Sequence, residues 1–104
     1  MTAPGWTVGR DVVVEMVRLA ALEVPGVVRV GRGGPRWRAF LAGPPVGVRM
    51  TTDGVHVKVR VIARPGVALR PLAEQVGAAV RAAVERLLAL ELADVTVVVD
   101  GVGR

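Results

Sequence analysis

The chain holds few side chains able to do covalent chemistry: no Ser, Cys, Tyr or Asn, one His and one Lys. Without Ser or Cys, neither a Ser–His nor a Cys–His dyad can be assembled. A Thr nucleophile would need a base, and His56 is the sole imidazole on offer. Thr51 is the hydroxyl that the hairpin described below brings towards it. Such a Thr–His neighbour is ordinarily a solvent-facing cross-strand pair. Sites built on two or three His ligands are excluded by count, and thiolate ligands and disulfides by the lack of Cys. Glu91, Asp94 and Asp100 have a spacing that matches no cation loop and read as solvated loop acids. The expectation is a protein that is not an enzyme, with no catalytic residue, no cofactor and no metal.

The remaining chemistry is cationic. Of the net charge of +5, the segment from Arg29 to Arg64 carries +7, with Asp53 its only acid, and the rest of the chain carries −2. Such asymmetry marks an anion-facing surface or simply an arginine-rich composition. The candidate partner or anion surface is Arg29, Arg32, Arg36, Trp37, Arg38, Arg49, His56, Lys58 and Arg60. Within it, Trp37 and Phe40 either stack on bases or a partner's surface, or tuck back over the helical layer. Gly31-Arg32-Gly33-Gly34 lacks the flanking helices of a GxxG clamp and the Lys-Ser/Thr of a phosphate loop.

The element that positions these cations is a hairpin, Val46–Ala63. Asp53-Gly54 between two alternating runs predicts a two-residue turn. That register sets Thr51 against His56, Arg49 against Lys58 and Gly47 against Arg60. One face is then apolar and the other cationic, with Arg49 and Lys58 a like-charge pair that weakens the sheet modestly. The strands are expected over about 46–51 and 55–63.

Around the hairpin, Val13, Met16, Val17, Ala20 and Val24 form one helical stripe over about 10–23, with Gly9 as N-cap and Glu15 and Arg18 within ion-pair reach. Leu72, Val76, Ala79, Val80, Ala83, Leu87 and Leu90 form a second over about 70–89, with Gly77 a soft spot. Val27–Val30 reads as a short strand, 31–45 as a flexible basic loop, and Val95–Val99 as a final strand closed by Asp100-Gly101. Residues 1–8 read as frayed, with a short edge segment near Trp6.

The order is α-β-β-β-α-β, a single α+β domain over 1–104. Each element has one apolar face, which predicts a two-layer sandwich with both helices on one face of a small mixed sheet. The link from the hairpin to the last strand makes a parallel crossover. The outer face carries Arg49, His56, Lys58, Arg60, Ile62, Thr96 and Val98. No run reaches the ~18 apolar residues of a membrane span, and the start lacks a signal-peptide pattern. A cytoplasmic protein is expected, peripheral at a membrane only through a partner.

Several strings support a closer comparison: Val8-Gly9-Arg10-Asp11-Val12-Val13, Ala20-Ala21-Leu22-Glu23-Val24-Pro25-Gly26-Val27, Gly47-Val48-Arg49-Met50, the helix Leu72–Leu90, and Leu92–Val102. Together they resemble the alkaline-shock, general-stress group of bacterial envelope stress-response proteins over about residues 8–102. The chain departs from that group at Ala89-Leu90, where its members usually carry a Gly, at Thr96, and in the arginine-rich loop. The resemblance implies a non-enzymatic stress-response scaffold working through protein–protein contacts and self-association, with a small integral-membrane protein as anchor. It offers no catalytic residue to transfer. The alternative is a small nucleic-acid-binding module using the basic sheet face and the Arg/Trp loop, marked by steep loss of affinity with salt.

Overall fold

A computed structural model describes residues 2–3, 6–7, 9–31 and 44–103. The basic loop expected at 31–45 therefore lies almost wholly outside the described residues.

Thr2–Ala3 (β1) and Trp6–Thr7 (β2) pair as a two-stranded antiparallel sheet. Arg10–Leu22 forms α1, opened by Gly9, whose carbonyl accepts the N–H groups of Val12 and Val13. Val27–Val30 (β3), Val46–Thr51 (β4) and Gly54–Ala63 (β5) follow. Leu69–Ala82 is α2, continued by a π-helical turn over Ala83–Leu87, and Leu92–Val102 is β6. The order is the α-β-β-β-α-β expected, and the α+β class holds.

β5 is the central strand. Along one side it pairs antiparallel with β4 through residues 54–59 and with β3 beyond, and along the other it pairs parallel with β6. The sheet is thus mixed, and the crossover through α2 is parallel as expected. Val13, Val17 and Ala21 of α1 and Leu72, Val76, Val80 and Val84 of the second helical segment form one buried cluster with Val46, Val48, Val55, Val57, Val59 and Val61. Burying a Val-sized side chain stabilises by about 1.5–3 kcal/mol, so this valine face carries the packing.

Four expectations are corrected. The hairpin turn is Thr52-Asp53, not Asp53-Gly54: Thr51 pairs with Gly54, Met50 with Val55, Arg49 with His56 and Gly47 with Lys58. Every partner moves by two residues, so the faces survive and the like-charge Arg49–Lys58 pair does not form. The cause lies in Gly54, whose φ is +126° and where a Cβ would stand 2.6 Å from the Glu91 carbonyl oxygen. The glycine lets β5 pass against the start of β6, with the Val55 N–H donating to that same oxygen at 2.8 Å. Thr51 Oγ1 meanwhile accepts the Asp53 N–H at 3.2 Å, a side-chain turn lock.

The second correction is the π turn. It delays the apolar stripe by one position, so Val84 is fully buried while Leu87, expected inside, is 69% exposed and Leu88 packs on the core in its place. Third, β6 runs from Leu92 to Val102 rather than 95–99, so Asp94 and Asp100 are strand residues and not loop acids. Fourth, Ile62 is buried on the outer face. Gly103 lies over it: a Cβ there would come within 2.9 Å of its Cγ2.

Candidate functional site

The outer sheet face is built in rows across β4, β5 and β6, because a pleated strand sends alternate side chains to the same side. One row is Arg49, His56 and Asp94; the next is Gly47, Lys58 and Thr96; beyond it Arg60 stands beside Val98. Gly47 supplies no side chain and Thr96 a short one. Around this gap opens a cleft of about 360 Å³ bordered by Arg10, Arg49, His56, Lys58, Asp94 and Thr96.

Arg10 enters from the first turn of α1. Its Nε donates to the Val48 carbonyl at 2.7 Å, which pins the guanidinium against β4. Arg49 and Lys58 are both exposed. The half-buried His56 is held from both sides: Nδ1 lies 3.2 Å from Asp94 Oδ1 and Nε2 lies 3.0 Å from Thr51 Oγ1.

Thr51, His56 and Asp94 thus form a hydroxyl–imidazole–carboxylate line. The Thr51–His56 contact read from the sequence is formed, through a diagonal rather than a directly opposed pair. The Thr51 hydroxyl also accepts the Asp53 N–H and donates to the Gly54 carbonyl at 3.3 Å. It therefore ties β4 to the turn and to β5, and His56 carries the line on to β6 through Asp94. Among the described residues, no group of three His, Cys, Asp or Glu side chains is placed to hold a metal ion.

Of the candidate residues, Arg49, His56 and Lys58 converge on the cleft. Arg60 stands further along β5 with Nη1 3.7 Å from Asp100 Oδ1, and Arg29 lies on β3 opposite Ile62. Arg32, Arg36, Trp37 and Arg38 lie outside the described residues. Arg10, Asp94 and Thr96 were not singled out for the site from sequence. Arg10 reaches it from a distant helix and Asp94 through the parallel pairing, so no local pattern marks either residue.

No match was found among curated proteins. Among solved structures, the fold is similar to variants of the MamM CTD. One is 19% identical, covering 88% of this chain and 95% of that one with a TM-score of 0.57. A nickel form is 19% identical over 90% of this chain and 98% of that one, with a TM-score of 0.56. A zinc form is 18% identical over 89% and 82%, with a TM-score of 0.54. At such identities the likeness is one of fold alone. The family model for alkaline shock protein 23, described by a cell envelope-related function, matches residues 5–104. On that match over nearly its whole length, the chain belongs to the alkaline shock protein family.

Proposed function

We propose that this protein is a non-enzymatic scaffold of the cell-envelope stress response, working in the cytoplasm through protein–protein contacts, first of all with further copies of itself. The family's envelope-related description supports the setting. The observation that carries the self-association is the outer edge of β6. This strand runs eleven residues, pairs with β5 along one side, and has no strand on its other side among the described residues. Its ladder has bulges where Ala93 and Asp100 are skipped in the pairing, leaving Asp94–Val99 a regular run between them. That run contains neither Lys nor Pro, the residues that usually blunt an edge.

A two-fold axis beside this edge joins two sheets through antiparallel β6 strands. No described helix is long and apolar enough to cross a membrane; in this reading a small integral-membrane protein is the partner that anchors the chain. Light scattering on the eluting protein tests the reading. A dimer or larger species is expected, shifting towards monomer in Val98→Lys, whose new charge sits on the edge. A strict monomer at high concentration overturns it.

A further inference from the structure

We propose that the cleft over Gly47 is a binding site for a phosphate monoester dianion. It begins from a glycine that the fold does not require. Gly47 stands inside β4, where a glycine weakens a strand unless something must approach its backbone closely. Its φ lies outside the left-handed region, and a Cβ there would meet nothing nearer than the Lys58 carbonyl oxygen at 4.0 Å. Gly54 is the contrast, since its missing side chain admits the backbone of β6 at 2.6 Å. Packing explains Gly54. What the absent side chain of Gly47 leaves is the opening of the cleft itself.

The groups around that opening set the ligand's charge. Arg10, Arg49 and Lys58 border it against one carboxylate, Asp94, and that carboxylate already faces His56. Neither Arg49 nor Lys58 has an ion-pair partner among the described residues. The excess of two positive charges matches a phosphate monoester dianion, while a carboxylate or a phosphodiester neutralises only half of it. Guanidinium forks bind phosphate oxygens bidentately, and an ammonium adds a point charge. The Thr96 hydroxyl adds a neutral donor beside Lys58. At about 360 Å³ the cleft has room for a phosphate and the first atoms of its ester group. The same dianion is offered by a soluble phosphorylated metabolite and by a phosphatidic acid headgroup.

The site is independent of pairing at the β6 edge, because ligand binding is read per protomer and association by mass. The experiment titrates the full chain, followed by backbone amide NMR, with glycerol 3-phosphate and inorganic phosphate. A second arm measures sedimentation with phosphatidylcholine vesicles containing either phosphatidic acid or phosphatidylglycerol. Saturable shifts centred on Gly47, Arg49, Lys58 and Thr96 are expected, with affinity falling at least tenfold in Gly47→Val and in Lys58→Gln. Binding of the soluble phosphates identifies a soluble ligand. Binding confined to phosphatidic acid vesicles, lost in the same variants, identifies a lipid headgroup. Gly47→Val is expected to melt no lower than the parent, since its Cβ enters open space. Should that variant fail to fold, Lys58→Gln carries the test alone. No saturable binding of any monoester probe overturns the proposal. So does binding that survives both substitutions, a preference for phosphatidylglycerol, or binding only to a long polyanion such as heparin.

Discussion

Ala89 has a φ of +54°, the only positive value at a non-glycine among the described residues. It lies just past the π turn, before Leu90, whose N–H reaches back to the Val84 carbonyl at 3.2 Å. A left-handed residue at this place is the usual helix stop, and glycine fills it without the Cβ penalty. Ala89→Gly is therefore expected to stabilise the protein by about 0.5–1 kcal/mol, the relieved strain outweighing the added freedom of the unfolded chain. Urea denaturation measures it, and a loss of stability would show that the left-handed turn costs nothing here. On α1, Glu15 is held below its ordinary value of 4.5, first by its hydrogen bond with Arg18 and then by that residue's charge. A depressed carboxyl contributes stability that is present above its unfolded value and lost as pH falls through the folded one. The pair is exposed, 42% at Arg18 and 54% at Glu15, so water and salt screen it. Glu15→Gln should be only slightly less stable than the parent at about pH 7 in low salt, and the gap should close as the pH falls below the ordinary value of 4.5 and through the lowered folded one. A gap that widens on acidification would contradict the pairing.

At the scale of elements, the alternation of valines and cations gave away which hairpin face was which, because period-two patterning is local. The pairing of individual residues was not legible, since Gly54 answers to Glu91, far along the chain, and only the assembled sheet brings the two together. The same limit applied to the site. Arg49, His56 and Lys58 alternate within one hairpin and could be grouped from their spacing, whereas Arg10 and Asp94 arrive from other elements. The second helix divides likewise: its stripe from Leu72 to Val80 obeys the ordinary period, and the π turn then breaks it. Two substitutions separate a π turn from an unbroken helix. Leu87→Lys, at a position 69% exposed, should change stability by less than about 0.5 kcal/mol. Val84→Ala, at a fully buried position, should cost about 2 kcal/mol from lost burial and the cavity left behind. Urea melts that reverse this order would restore the regular helix read from the sequence.

For the molecule as a whole, the sheet offers two different surfaces. Its outer face is cationic, with Arg49 and Lys58 open to water, whereas the edge of β6 offers a backbone ladder, with its two carboxylates already beside His56 and Arg60. These surfaces respond oppositely to salt. Charge interactions fade as the Debye length falls from ~10 Å at 0.1 M to ~3 Å at 1 M. Strand pairing rests on hydrogen bonds and apolar contact, which salt does not screen. Self-association through β6 should therefore leave the same mass in light scattering at about 0.1 M and about 1 M salt, while any polyanion held on the outer face dissociates over that range. The segregation of +7 into one stretch of the chain against −2 in the rest gives a competing mode, in which the basic face of one copy meets the acids of another. That mode predicts dissociation to monomers at high salt and no weakening by Val98→Lys, which adds a cation to the basic face beside Arg60. The two modes thus differ in both readouts, and a monomer appearing only at high salt would move the contact from the edge of the sheet to its face.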